Sequence, residues 1–416
     1  MFTQPPWIEP RTAYVHVPFC AHHCGYCDFA VTVGQDALAD LYLEALEIEL
    51  ATLGQPRTVE TLFIGGGTPT HLTARQLERL LTMLRKWLRF EHMSASGGEV
   101  EFQQGNLNSL NTPSPLTRLP RGQETEFSIE ANPDRLDDEK CAVLAAGGVT
   151  RMSLGVQSFQ PHLLAALDRQ HHLADIPRAV EFIRKHDFQM SLDLIFAAPG
   201  ATLEDWRADL AAALAFNPDH ISTYGLTYEK GTPLWKQRQR GLVTTVNEDD
   251  EYTMYETSLD TLVGAGFEHY EISNFAQPGR RCRHNERYWA NEAYYGFGVG
   301  AARYVGGHRE LNVRNTNEYI RRVLSGESPT FQTEKLIGRQ RAFETIAVQL
   351  RRMSGINRTR FHVQTGFELD ALLGSRLTAM LEQGLLEDVG DDVRLTRRGC
   401  FVADGIVEDL MKAQDI

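Results

Sequence analysis

Three cysteines spaced Cys20-x3-Cys24-x2-Cys27, directly after the alternating stretch Tyr14-Val-His-Val-Pro-Phe, constrain this chain more than any other feature. Three thiolates on one tight loop can hold three corners of a cubane iron–sulfur cluster, which leaves the fourth iron open to a substrate or cofactor. A closed zinc site needs a fourth ligand, and His22 or His23 is placed to supply one. The spacing is a poor one for zinc, and the rest of the chain favours the cluster.

Beyond the loop, strand and helix patterns alternate. Residues 36–53 read as an amphipathic helix capped by Asp36 and stopped by Gly54. Val59 to Ile64 is a short apolar strand that runs into Gly65-Gly66-Gly67-Thr68. Thr73 and Gln76 form a capping-box signal for a helix reaching about Phe90. Residues 91–125 then turn rich in Gly, Ser, Asn, Gln, Pro and Thr and read as a disordered insertion. Strands are predicted again at Glu126–Glu130, Arg151–Val156, Met190–Phe196 and Asp219–Tyr224, with helices between them. Six such alternations call for parallel strands with helical crossovers, that is, an α/β fold built on a partial (β/α)6 barrel. From about Thr333 the character changes to helices followed by a short two-stranded wing, a winged-helix-like pattern. The expected domains are a barrel at 1–230, a connecting segment at 231–332 that completes the core, and a C-terminal α+β domain at 333–416. DNA binding by that last domain is disfavoured, since its helices carry no basic stripe; a lid or docking module fits better.

Composition narrows the function classes. The 416 residues carry a net charge of −13, which argues against nucleic acid as the main partner. The six cysteines, three of them clustered, do not form a disulfide framework, and a reduced compartment suits both them and a labile cluster. No apolar run approaches the length of a membrane span, and Met1-Phe-Thr-Gln-Pro-Pro lacks a basic region followed by an apolar one. A cytoplasmic location is expected; peripheral membrane contact stays open.

Polar residues recur at the ends of the predicted strands. The cysteine loop follows the first, Gly65 to Thr68 the second, Glu130 ends the third, Gln157 follows the fourth, and Asp193 interrupts the apolar fifth. In a parallel barrel these ends converge on one face, and that face carries the chemistry. A triple glycine lets backbone amides approach an anion. Glu130 can accept from an ammonium or hydroxyl, Gln157 and Asp193 can hold a ribose, and Arg169 can pair with a carboxylate. Taken singly, each is as readily a helix cap or a surface ion pair. Asp193 resists that reading, because a charge inside an apolar strand needs a partner.

The cysteine spacing, with Tyr26 before the third cysteine, resembles the signature of the radical S-adenosylmethionine (SAM) superfamily. The resemblance implies a 4Fe–4S cluster on Cys20, Cys24 and Cys27 whose open iron is chelated by SAM. Tyr14-Val-His-Val-Pro-Phe-Cys, GGGTPT, Glu130-Ala-Asn-Pro133, Gly155-Val-Gln-Ser-Phe159, Asp168-Arg169 and Asp193-Leu-Ile are similar to the oxygen-independent coproporphyrinogen III oxidase family. By that match Tyr14, Tyr26, Gly66, Gly67, Thr68, Glu130, Gln157, Arg169 and Asp193 are the SAM-contacting positions.

The oxidases carry a fourth cysteine two residues after the third, where this chain has Phe29. The chain also has little before its first strand. Arg283-His284-Asn285-Glu286-Arg287-Tyr288-Trp289 contains an H-N-x-x-Y-W motif. These features resemble the HemW-type haem-chaperone branch, which implies haem as cargo, client haemoproteins and a cluster-reducing electron donor. His284 is the expected haem ligand and Cys282 the alternative, with Tyr288 and Trp289 facing the macrocycle. Arg280, Arg281, Arg283 and Arg287 would pair with its propionates. The runner-up function is oxidative decarboxylation of coproporphyrinogen III, and the pattern leaves open whether SAM is cleaved in turnover.

Overall fold

The computed structural model describes residues 2–90 and 125–415. The expected insertion therefore lies outside the described residues, Thr125 excepted. Six parallel strands form the frame: β1 Thr12–Val17, β2 Thr61–Gly66, β3 Glu126–Ala131, β4 Arg151–Gln157, β5 Gln189–Phe196 and β6 His220–Gly225. An antiparallel pair, β7 Glu268–Glu271 and β8 Asn274–Ala276, extends the β6 edge. At the other edge, β9 Tyr294–Phe297 adds a seventh parallel strand beside β1. Antiparallel β10 Ala302–Val305, β11 His308–Asn312 and β12 Thr330–Lys335 come after it. The order across this curved sheet is β7-β8-β6-β5-β4-β3-β2-β1-β9-β10-β11-β12.

Alternation along each strand sorts the side chains, because successive residues point to opposite faces. Ala13, Val15 and Val17, then Leu62 and Ile64, Phe127 and Ile129, Met152 and Leu154, Leu192 and Leu194 are all buried in one apolar core with the surrounding helices. Each such Leu or Ile contributes roughly 2 kcal/mol by burial. The opposite parity lines the barrel interior with polar groups: Thr12, Tyr14 and His16; Glu126, Ser128 and Glu130; Arg151 and Ser153; Ser191 and Asp193; His220, Ser222 and Tyr224. The crossover helices Ala39–Ala51, Ala74–Trp87, Asp138–Ala146, Pro161–Ala166, Asp175–Lys185 and Leu203–Ala215 cover the outside.

Three local expectations change. Asp36 does not cap its helix; its carboxylate takes a hydrogen bond from His71 at 2.9 Å. The helix starting at the Thr73–Gln76 capping box ends at Trp87, and Leu88–Phe90 is a strand paired with Arg57–Val59. In the C-terminal region the wing strands Leu386–Val389 and Asp392–Leu395 are joined by Ile356–Asn357, giving three strands. Among the described residues no helix is long and apolar enough to cross a membrane.

The short helix Arg283–Trp289 closes the N-terminal mouth of the barrel. Glu126, at the start of β3, accepts from the amides of Arg283 and His284, both at 2.8 Å. Arg151, at the start of β4, donates to the carbonyl of Arg280 at 3.0 Å. Thr61, at the start of β2, lies 3.2 Å from Nδ1 of His284. The H-N-x-x-Y-W stretch is thus a floor under the lumen, at the end of the strands away from the cysteine loop.

Candidate cluster and cofactor site

At the C-terminal rim a cavity of about 520 Å³ is lined by all three motif cysteines. Gly66, Gly67, Thr68, Glu130, Gln157, Arg169, Asp193 and Tyr26 line it as well. Asn132, Ser153 and Tyr224 also reach this cavity; Asn132 lies within a quoted motif without being assigned a contact, and the other two lie outside the motifs. The strand-end alternation is the available signal for Ser153 and Tyr224, and the Asn-Pro turn is the signal for Asn132. Tyr14 is the exception among the expected contacts. It does not line the cavity; its hydroxyl lies 3.2 Å from Nδ1 of His16 and its ring stacks on Phe63.

The cysteine loop is tied down from several sides. Gly25 is bonded through its amide to Leu167 and through its carbonyl to Leu234. Cys20 Sγ lies 3.4 Å from Thr68 Oγ1, and Arg169 reaches Cys24 Sγ at 3.5 Å. His16 is buried beneath the loop, and its Nε2 meets the carbonyl of Ala30 at 2.9 Å. That carbonyl can only accept, so Nε2 carries the proton and Nδ1 accepts from Tyr14. Burial lowers the His16 pKa to about 4, so the ring is neutral at ordinary pH.

The glycines have a steric reason. Gly66 has φ +112°, and a Cβ there would sit 2.5 Å from the His16 ring. A Cβ on Gly67 would sit 2.6 Å from the Pro18 carbonyl oxygen. The turn can therefore press against the cysteine loop only if it has no side chains. Gln157 holds φ 67° at a register shift in β4, a left-handed backbone that turns its side chain toward the cavity.

The electrostatics fit a cationic and amphoteric ligand. Glu130 accepts from the Gly66 amide at 2.9 Å, and burial pushes its carboxyl up to about 7. The Ser153 hydroxyl lies 2.9 and 3.1 Å from the two Asp193 oxygens and donates its one proton to the carboxylate, and burial raises the Asp193 pKa. The partner that a charge within an apolar strand demands is thus a serine on the adjacent strand. Arg169 donates to Gly155 O at 2.6 Å and Asn132 Oδ1 at 3.0 Å, and its Nε is buried with no partner. Burial pushes the Cys20 and Cys27 thiols up to about 12 and about 11. They ionise only with a positive centre beside them, which iron supplies.

The donor set suits a cluster better than a single ion. Among the described residues no three His, Cys, Asp or Glu converge tightly enough to hold one metal ion. A cluster has no such need, because its thiolates bind separate irons. His22 lies 3.0 Å from Asp168 and His23 3.0 Å from the Cys27 carbonyl, each through Nε2, and neither converges with the cysteines on one point. Phe29 is 64% exposed beside the cavity and offers no ligand to a cluster.

A second cavity, of about 510 Å³, lies on the other side of Tyr224. Asn285, Tyr288 and Trp289 of the floor helix line it, with Glu271, Arg309 and Arg351. The two residues expected to ligate haem do not. His284 and Cys282 are each 2% exposed and belong to the floor. The His284 ring packs on Phe63 and Tyr288, and its Nε2 is buried without a partner. Burial lowers the His284 pKa to about 3. The expected propionate arginines are also engaged elsewhere: Arg280 with Asp219, Arg281 with Glu268, Arg283 with Glu126, and Arg287 with Glu60 and Glu292. The arginines that line the second cavity are Arg309 and Arg351, and these too have carboxylate partners, Glu344 and Asp404.

Comparison with known proteins agrees with this geometry. Residues 14–213 match the Radical SAM superfamily model, and residues 338–402 match the HemN C-terminal domain. The heme chaperone HemW of Bacillus subtilis is 36% identical over 394 residues, covering 94% of this chain and 96% of that protein. HemW of Escherichia coli is 29% identical over 413 residues, covering 96% and 98%. The solved structure of coproporphyrinogen III oxidase (HemN) from Escherichia coli, described as a radical SAM enzyme, superposes with a TM-score of 0.78. It is 21% identical and covers 97% of this chain and 90% of that one, so the two share a fold.

Proposed function

The chain belongs to the radical SAM superfamily and, within it, to the family of the heme chaperone HemW, and from that premise we propose that it binds haem and passes it to client haemoproteins. The observation that carries this reading is the near full-length likeness to proteins named heme chaperones, in a chain with Phe29 two residues after the third cysteine.

In this reading Cys20, Cys24 and Cys27 hold the 4Fe–4S cluster. Gly66, Gly67, Thr68, Glu130, Gln157, Arg169 and Asp193 hold SAM. A cluster with an open iron supplies SAM with an anchor and an electron. The residues around it do the positioning: Glu130 and the glycine turn face the amino-acid end, and Gln157 and Asp193 face the ribose. Tyr14 acts from behind, through His16.

The proposed seat of haem is the second cavity. Its volume is in the range that suits cofactor-sized ligands. Tyr288 and Trp289 line it with aromatic surface, and Arg309 and Arg351 would exchange their partners Glu344 and Asp404 for haem carboxylates. His284 and Cys282 remain the iron-ligand candidates, and His284, buried against Tyr288, has to become exposed before its imidazole can reach iron. We assign residues 1–230 to the barrel, 231–332 to the segment that completes it, and 333–416 to a docking or lid module. The cytoplasm as location and a reducing partner for the cluster belong to the same proposal.

The test uses the full chain, reconstituted anaerobically, with haem and coproporphyrinogen III offered side by side. Stoichiometric haem binding and transfer to an apo-haemoprotein, with no decarboxylation, is the expected result. Decarboxylation of coproporphyrinogen III without haem binding would overturn it in favour of the oxidase reading.

A further inference from the structure

Of the residues that line the two cavities, Tyr224 alone belongs to both. It is the last inward-facing residue of β6. The two before it, His220 and Ser222, are buried at 2% and 3% exposure, while Tyr224 is 42% exposed into the lumen. Carboxyl groups flank the phenol on both sides: Asp193 and Glu130 line the cluster cavity, and Glu271 lines the second one. A half-exposed ring that forms part of both walls meets a ligand on either side, and the entropy cost of fixing it against a ligand falls once when both cavities are filled.

We infer that Tyr224 is a positioning residue that couples the two chambers, so that a ligand seated in one orders the wall the other ligand meets. This rests on the reading of the second chamber as the seat of haem. Nothing in the inference requires SAM to react. The coupling is positive and reciprocal: whatever factor SAM contributes to haem affinity, haem contributes to SAM affinity.

The experiment measures four dissociation constants on the reconstituted full chain. Haem is titrated with and without saturating SAM, and SAM with and without haem, the latter followed by the electron paramagnetic resonance (EPR) spectrum of the reduced cluster. Each ligand is expected to tighten the other about fivefold or more, by matching factors. Tyr224→Ala should bring both factors to one while each ligand still binds alone. Tyr224→Phe, which keeps the ring, should keep the coupling. Unchanged constants in the wild-type chain overturn the coupling, and that pair of titrations decides even if the alanine variant fails to fold. A Tyr224→Ala chain that retains the full factor also overturns it. Failure of the wild-type chain to bind haem at all would instead overturn the chaperone reading beneath it.

Discussion

At the C-terminal rim of the barrel, acids, cysteines and an arginine surround a cavity; at the floor, the same kinds of residue surround one another. Glu130 at the rim has one backbone donor, Gly66, and a carboxyl pushed up to about 7. Glu126, four residues earlier on the same strand and the same face, accepts from two amides of the floor helix. Cys24 and Cys27 at the rim are partly exposed, whereas Cys282 is buried against Glu126. Position along a strand therefore decides what a residue type means. A polar residue at the C-terminal end is available to a ligand, and one at the N-terminal end is engaged in holding the fold.

The largest effect that can break this comparison is in the cysteines. Cys24→Ala should abolish cluster iron and the brown absorbance of the reconstituted protein, while Cys282→Ala, Cys141→Ala and Cys400→Ala should load normally. Iron retained by Cys24→Ala, or lost in Cys282→Ala, would erase the distinction between rim and floor. The next effect lies in the floor. Glu126→Gln leaves one of the two floor-helix amides without its acceptor, at a cost of about 1–3 kcal/mol of stability. Denaturant unfolding should show that loss, with SAM affinity of the folded protein unchanged. A selective loss of SAM binding at unchanged stability would move Glu126 into the site.

Much of the rim was legible because its signals are local. Strand alternation, the glycine turn and the Asp193 interruption all act within a few residues, and they converge once the strands are parallel. The floor was not legible, because its partners are distant in sequence. Arg287 meets Glu60 and Arg283 meets Glu126, pairings that no window around H-N-x-x-Y-W contains. Read locally, four arginines around a histidine suggest an anion site; in the fold each has a protein carboxylate. The strand β9 was missed for the same reason. It pairs with β1 from the far end of the chain, and β10 to β12 beyond it carry ion pairs such as Arg303–Glu310 rather than an apolar run. Tyr14 was half legible: the motif marked it, and only the fold places its hydroxyl against His16.

His16 sharpens the comparison, since it is buried like a floor residue but supports the rim. One imidazole touches the exit of the cysteine loop, the glycine turn and Tyr14. His16→Phe keeps a planar aromatic ring, somewhat larger than imidazole, and removes both hydrogen bonds. Loss of a supporting partner of this kind weakens metal or cofactor sites by roughly tenfold or more. SAM affinity should fall by about that factor, with an altered EPR line shape, while cluster iron is largely retained. His16→Gln, which can still donate to the Ala30 carbonyl, should recover part of the affinity. If Phe and Gln behave alike and only the melting temperature moves, the imidazole supports the core rather than the site.

The smallest expected effect concerns residues 91–125, and it tests the topology itself. The described chain stops at Phe90, on a strand paired with Val59, and resumes at Thr125, just before β3 begins. Both flanks lie at the N-terminal ends of the barrel strands, beside Thr61 and Glu126, on the floor side. The cysteine loop, Gly66 and Glu130 occupy the opposite ends of the same strands. The two points where the connection leaves and re-enters are separated from the rim by the length of the barrel. Shortening such a connection changes its closure entropy slowly, by about 0.6 kcal/mol per halving. A short Gly/Ser linker in place of residues 94–122 should therefore leave cluster iron and SAM affinity unchanged and the melting temperature nearly so. Iron content, the SAM titration and a thermal melt on the same preparation check this. A large loss of SAM affinity, with the fold intact, would mean that the segment reaches the rim, and the division between the two ends of the barrel would have to be redrawn.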